Sequence, residues 1–207
     1  MFGVSTFTYE YEDIRRPLET YEWDNVWYEH TDRTDVPHVF YIGDSISCGT
    51  RQIATAEADQ QILFDGYGTS KAVDHPLFAD SIRLYAKQLV RNDVVLFNNG
   101  LHGGHLTEEE YAVYYEKMVC FLRTEFPSKP LFLVLTTHVG IPARAARARK
   151  RNDAVRAIAE KYNLPVIDLY ETTCKDETLL ATDKVHFQVA GYRLIARKLL
   201  AEIQRIL

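Results

Sequence analysis

The chain has 207 residues, 46% of them hydrophobic, and a formal net charge of -5, which fits one globular domain with a substantial core. An acidic balance repels polyanions at long range, so neither nucleic acid nor an anionic membrane surface is favoured as a partner. Cys48, Cys120 and Cys174 are odd in number and widely spaced, which excludes a disulfide framework and a zinc spacing; they read as reduced thiols, and the compartment as cytoplasmic.

Residues 1–36 are acidic, aromatic and weakly periodic. They contain no basic segment followed by an apolar run, so no secretory leader is expected, and nowhere does the chain offer the roughly 18 apolar residues of a membrane span. The segment reads as an N-terminal extension to a domain covering 37–207, with Trp23, Trp27 and Tyr28 packed on a sheet edge because aromatics contribute the most buried area per residue. A platform on which substrate stacks is the alternative.

From Pro37 onward, short apolar runs alternate with amphipathic segments. The runs are 38–42, 62–64, 94–97, 131–135 and 165–168, each a candidate strand. Between them the spacing predicts helices over 76–90, 107–126, 143–162 and 188–207. Pro76 suits a first turn; Leu77, Ile82, Leu84, Tyr85 and Leu89 follow at near-helical spacing. Thr107 with Glu108, Glu109 and Glu110 reads as a capping box, and Pro127 as its helix's stop. In the last helix, Val189, Tyr192, Leu194, Ile195, Leu199 and Ile203 are expected to face inward. Strand alternating with helix requires crossover connections. The expected fold is therefore α/β: a three-layer, flavodoxin-like arrangement of five parallel strands with helices on both faces.

In such sheets the ligand crevice lies beyond the carboxyl ends of the strands. Those ends deliver Gly43-Asp44-Ser45, then Asp65-Gly66-Tyr67-Gly68, then Asn98-Asn99-Gly100-Leu101-His102, then Thr136-Thr137-His138. A serine hydroxyl becomes a nucleophile only when an imidazole takes its proton and a carboxylate orients that imidazole. Asp183-Lys184-Val185-His186 supplies both groups just before the last helix. Ser45 taken alone is more often a helix cap than a nucleophile.

Gly43-Asp44-Ser45 after the first strand and Asp183-x-x-His186 before the last helix resemble the first and last motif blocks of the GDSL/SGNH hydrolase superfamily: esterases, lipases and carbohydrate deacetylases of flavodoxin-like fold. The resemblance covers the chain from Phe40 to the end. It implies Ser45 as nucleophile, His186 as general base and then acid, Asp183 as its orienter, and no cofactor. The Ser45 N–H and a glycine after the second strand, Gly66 or Gly68, would donate to the oxyanion. The superfamily's usual Gly-x-Asn-Asp is replaced by Gly100-Leu101-His102-Gly103, so the third donor is expected from His102, with Asn99 and then Asn98 behind it; Asn98 to His102 also fits the Asn-x-Gly-Leu-His run of some members.

Asp44 is expected to brace its loop through backbone N–H groups. His102 and His105 without a carboxylate make an incomplete metal site, so no metal is expected. His138 is a candidate for the pocket lining, whereas His30, His38 and His75 read as structural or solvent-facing, and Cys48 as core. The basic run Arg144 to Arg151 reads as a solvated helix face, the alternative being recruitment of an acidic glycan or phosphorylated ligand. The implied activity is hydrolysis of an O-acyl ester through an acyl-enzyme, with a small acyl group on a small-molecule or glycan alcohol. A degenerate hydrolase or flavodoxin-like module kept for binding is the other reading.

Overall fold

The computed structural model describes residues 19–207; the earlier part of the expected N-terminal extension, on which the expectation about a leader falls, lies outside them. The parallel strands are β2 (His38–Gly43), β3 (Leu63–Thr69), β4 (Val94–Phe97), β5 (Leu131–Val134) and β6 (Val166–Ile167). Except in β3, where Asp65-Gly66-Tyr67-Gly68, expected as the loop after a strand ending at 64, lies within the strand, they are near-continuous apolar runs because both faces of a parallel sheet are covered, and almost every residue in them is buried. On one face α2 (Phe78–Ala86), α3 (Glu108–Glu125) and α4 (Pro142–Tyr162) enclose a core built on Phe40, Phe97 and Leu133. On the other, α1 (Ser45–Glu57), α5 (Leu169–Thr173) and α6 (Val189–Ile203) close over Tyr41, Leu96 and Val134. Successive residues of a strand thus feed opposite cores.

The sheet differs from the expected five parallel strands. It has six, in the order β1-β3-β2-β4-β5-β6, because β1 (Asp24–Trp27) pairs antiparallel with β3 in the register Asp24↔Thr69 to Trp27↔Gly66. Asp-Asn-Val-Trp has no apolar alternation, and most of this edge strand is exposed, so period alone could not reveal it. Its anchors are polar: the Lys71 ammonium donates to both Asp24 oxygens at 2.7 Å, and Tyr67 donates its hydroxyl to Asp24 Oδ1 at 2.9 Å. His38, which could have been solvent-facing, is fully buried, its ring between Asp65 Oδ2 at 2.8 Å and the Arg33 carbonyl at 2.7 Å. Trp27, expected on the sheet edge with Trp23 and Tyr28, is 40% exposed.

The helices hold their expected order; α2, α3 and α6 are shorter than expected, while α4 keeps its expected end and starts one residue earlier, at Pro142. Thr107 Oγ1 accepts from the Glu110 N–H while Glu110 Oε2 accepts from the Thr107 N–H, completing the capping box of α3. Two inward faces are narrower than expected. On α6, Val189 and Leu194 are exposed, since the buried stripe is Gly191, Ile195, Leu199 and Ile203. On α2, Leu77 and Leu84 point to solvent because Phe78, Ala79 and Ile82 set the phase.

Candidate active site

Strand β2 is central, with β3 on one side and β4 on the other. The chain crosses from β2 to β3 on one side and then back past β2 to β4 on the other, so the carboxyl ends of β2 and β4 flank the topological switch point where open α/β sheets bind ligands. The chain leaves the β2 end through Asp44, whose Oδ1 accepts from the Ile46 N–H at 2.9 Å and caps α1. Capping fixes the first residue of the helix, Ser45, at the crevice.

Opposite it, the segment before α6 folds back on itself. Leu180 and Phe187 form an antiparallel bridge, the Ala181 N–H donates to the His186 carbonyl at 2.7 Å, and Lys184 turns the corner with φ +62°. The turn brings Asp183 beneath His186. Asp183 Oδ1 accepts from the N–H groups of Val185 (3.0 Å) and His186 (2.9 Å), and Oδ2 lies 2.5 Å from His186 Nδ1. The hydrogen bond from the imidazole, with the two backbone donors, holds the Asp183 carboxyl down at about 2. An ionised carboxylate only accepts, so Nδ1 carries the hydrogen and Nε2 presents a lone pair. That lone pair faces Ser45 Oγ at 2.8 Å. Serine, imidazole and carboxylate, far apart in sequence, thus form one chain of hydrogen bonds with His186 and Asp183 partly open to solvent.

Asp44 is buried, and burial pushes its carboxyl above the ordinary carboxylate value despite the pull of His102, the Ile46 N–H and His186. Its Oδ2 has no hydrogen-bond partner among the described residues, and Asp44 lines a small pocket with Tyr41, Asn98 and Thr137.

The other expected donors are engaged elsewhere. The Asn98 amide donates to the Val134 carbonyl at 2.8 Å, and the Asn99 amide to the Lys71 carbonyl at 2.7 Å. Gly66 and Gly68 lie opposite Trp27 and Asn25 of β1. The Ser70 N–H donates to Trp23 O, and hydrogen-bonded pairs alternate along an antiparallel ladder, so both glycine N–H groups are directed at β1. What keeps these positions glycine is α1: a Cβ on Gly68 would stand 2.2 Å from Cys48 Sγ, and one on Gly66 2.7 Å from Arg51 Cδ.

His102 remains. It sits on the loop between β4 and α3, close enough to Asp44 to favour its ionised form, with the Trp23 ring edge-on at 6.1 Å and Glu19 Oε1 3.5 Å from Nδ1. His105, two residues beyond Gly103, is instead bound to Asp74 Oδ2 at 2.9 Å. His138 lies against Tyr170 and Glu177 beyond β5.

Two features escaped sequence reasoning. Trp23 and Glu19 reach the His102 loop, for which an irregular acidic segment offers no signal. Arg151 is not on a solvated face, although Arg144, Arg149 and Lys150 of the same run are exposed. It is completely buried, donating to carbonyls of Gly100, His102 and Gly103. The helical period held a clue: Arg151 shares a face with the apolar positions Ala148 and Val155, both buried.

No family model and no curated protein matches the sequence. Solved structures do. The lipase/acylhydrolase from Enterococcus faecalis is similar with TM-score 0.66 and 18% identity over 82% of this chain and 96% of that one. The acetyl xylan esterase AlAXEase gives TM-score 0.65 and 17% identity, covering 80% and 99%. A member of the lipolytic G-D-S-L family from Veillonella parvula DSM 2008 gives 0.64 and 21%, covering 83% and 100%. The chain has the α/β fold of the GDSL/SGNH hydrolases across most of its length.

Proposed function

We propose that the protein is a serine-dependent O-acyl ester hydrolase acting on small acyl groups, acetyl first, carried by a carbohydrate alcohol. One observation carries this: Ser45 Oγ, His186 and Asp183 joined at 2.8 Å and 2.5 Å with the Nε2 lone pair toward the hydroxyl. In the proposed cycle Ser45 Oγ attacks the ester carbonyl as His186 Nε2 takes its proton. The tetrahedral adduct collapses, its alkoxide leaving with the proton from His186. Water then attacks the acyl-enzyme, giving a proton to His186, and the second adduct releases the acid as Ser45 recovers its hydrogen. Asp183 keeps the imidazole in the tautomer that can accept and steadies the imidazolium between the steps.

The developing oxyanion needs fixed donors. The Ser45 N–H, in the first turn of α1, has no intrahelical acceptor and lies at the positive end of the helix dipole. His102 is the side-chain donor we assign beside it, since the Asn98 amide is turned to the Val134 carbonyl and Thr136 Oγ1 and the Asn99 amide gives one of its two hydrogens to the Lys71 carbonyl. The preference for acetylated sugars is supported by the fold shared with proteins described as acetyl xylan esterase and acetyl-xylooligosaccharide esterase, and by Trp23 beside His102, an aromatic face suited to a sugar ring.

The commitment of both asparagine amides favours one rival, a binding module that no longer turns over. A series of p-nitrophenyl esters from acetate to octanoate, with acetylated xylooligosaccharides alongside, separates the cases. Turnover falling with acyl length and abolished in Ser45→Ala is expected. A preference for octanoate overturns the small-acyl assignment, and folded protein without turnover on any ester supports the rival.

A further inference from the structure

Seven residues, Asn99 to His105, cross from β4 toward α3 without forming helix or strand, and three of them are glycines. Such a segment has many conformations to lose, yet His102 in its middle must hold one position to serve an oxyanion. Gly100 is held closely, since a Cβ there would stand 1.8 Å from Thr136 Oγ1, and Gly103 takes the left-handed φ of +72°. Neither explains what fixes the peptide planes around His102.

Arg151 does. Its Nη1 donates to the Gly100 carbonyl at 3.1 Å and to the His102 carbonyl, and its Nη2 donates to the Gly103 carbonyl at 2.7 Å. The guanidinium lies 4.4 Å above the Tyr111 ring, and the Tyr111 hydroxyl donates to the Asn99 carbonyl at 2.5 Å. Four of the five carbonyls from Asn99 to Gly103 are thereby drawn toward α3 and α4. The peptide whose oxygen belongs to His102 must turn its N–H, that of Gly103, the opposite way, and there it donates to Glu19 Oε1 at 2.9 Å. The nearest counter-charge to the guanidinium, Glu108, is 3.5 Å from Nε.

A buried guanidinium is an expensive way to fill volume, because its desolvation is repaid only where geometry is specific. A planar fork can grip three carbonyls at once; an ammonium on a flexible stem cannot. We propose that Arg151 is a positioning residue of the ester-hydrolysing site, setting the orientation of His102 by clamping the backbone on both sides of it. This rests on the function proposed above. Arg151 touches no reacting atom and acts through His102.

The test compares p-nitrophenyl acetate kinetics of wild type, Arg151→Lys, His102→Ala and the double variant, together with the 13C resonance of His102 Cε1. Arg151→Lys is expected to lower kcat about 10- to 100-fold with KM within about threefold, a part of the roughly 10²–10³-fold cost of losing an oriented donor outright, and to shift or broaden the His102 resonance while that of His186 stays put. In the His102→Ala background the same change is expected to cost less than about twofold, because nothing is left to position. An unmoved His102 resonance overturns the proposal, as does a kcat loss repeated in full in the His102→Ala background. If Arg151→Lys does not fold, Tyr111→Phe, which releases only the Asn99 carbonyl, is read in the same cycle, with about a 3- to 10-fold loss that again vanishes without His102. Wild type that neither turns over nor depends on Ser45 defeats the hydrolase assignment instead, and is distinguished by a His102 resonance that still responds to Arg151→Lys.

Discussion

Asp183 offers the sharpest test of how the imidazole is held, because alanine and asparagine fail there for different reasons. Alanine removes the acceptor for Nδ1–H and for the N–H groups of Val185 and His186, but the position is half exposed, so water can replace part of what is lost. One charge-assisted hydrogen bond is worth about 1.5–3 kcal/mol, and at 1.36 kcal/mol per tenfold Asp183→Ala is expected to lower kcat about 10- to 150-fold. Asparagine keeps an oxygen for the two backbone donors, which turns its NH2 toward Nδ1. That group donates, so Nδ1 must become the acceptor and Nε2 must carry the hydrogen, leaving no lone pair for the Ser45 proton. Asp183→Asn is therefore expected to be slower than Asp183→Ala, with the roughly 10⁴-fold loss known for fully buried carboxylates as its ceiling. Steady-state hydrolysis of p-nitrophenyl acetate near pH 8, with circular dichroism to confirm folding, measures both. An asparagine variant faster than the alanine variant, or within twofold of wild type, refutes the tautomer argument.

Asp44→Asn keeps a cap for α1 but removes a buried charge. Because burial raises the Asp44 carboxyl, the folded state binds more protons than the unfolded state between the ordinary 3.8 and the raised value, and stability falls as pH rises through that window; melting is expected to favour the variant at pH 8 and to lose that advantage at pH 4, and an equal deficit at both pH values contradicts this. Gly100→Ala is expected to cost about 1–3 kcal/mol by overpacking against Thr136, lowering the melting temperature by roughly 2–4 °C per kcal/mol, and an unchanged melt would show that the loop yields. Trp23→Ala is expected to raise KM for acetylated xylooligosaccharides about 2- to 10-fold, the worth of one aromatic contact, with p-nitrophenyl acetate little affected; equal effects on both remove the sugar face.

Four of the parallel strands were legible because a sheet covered on both faces needs uninterrupted apolar runs, whereas β3 was legible only in its first residues because Asp65, Gly66, Gly68 and Thr69 interrupt its run. The Thr107 capping box was legible because it is local. Ser45, Asp183 and His186 could be paired across nearly the whole chain only because each stands at a strand end or turn where a flavodoxin-like order of elements brings loops together. β1 was not legible: it is held by Lys71, Tyr67 and main-chain bonds rather than by its own apolar face. That omission hid the fate of Gly66 and Gly68, whose N–H groups are directed at the strand that sequence period could not reveal. Arg151 was obscured by the exposed arginines and lysines around it, and only its helical spacing from Ala148 and Val155 marks it as the one turned inward. Asn98 and Asn99 show a limit of motif reasoning, for residue type specifies a donor without specifying which acceptor takes it.

The measurement closest to the central claim is covalent capture of the serine. Folded protein treated with a fluorophosphonate and analysed by intact mass and peptide mapping is expected to carry one adduct, on Ser45, absent in Ser45→Ala and formed at least about 100-fold more slowly in His186→Ala, in keeping with the 10²–10⁴-fold worth of a positioned base. An unlabelled Ser45 in folded protein, or labelling that proceeds at the same rate without His186, would contradict it.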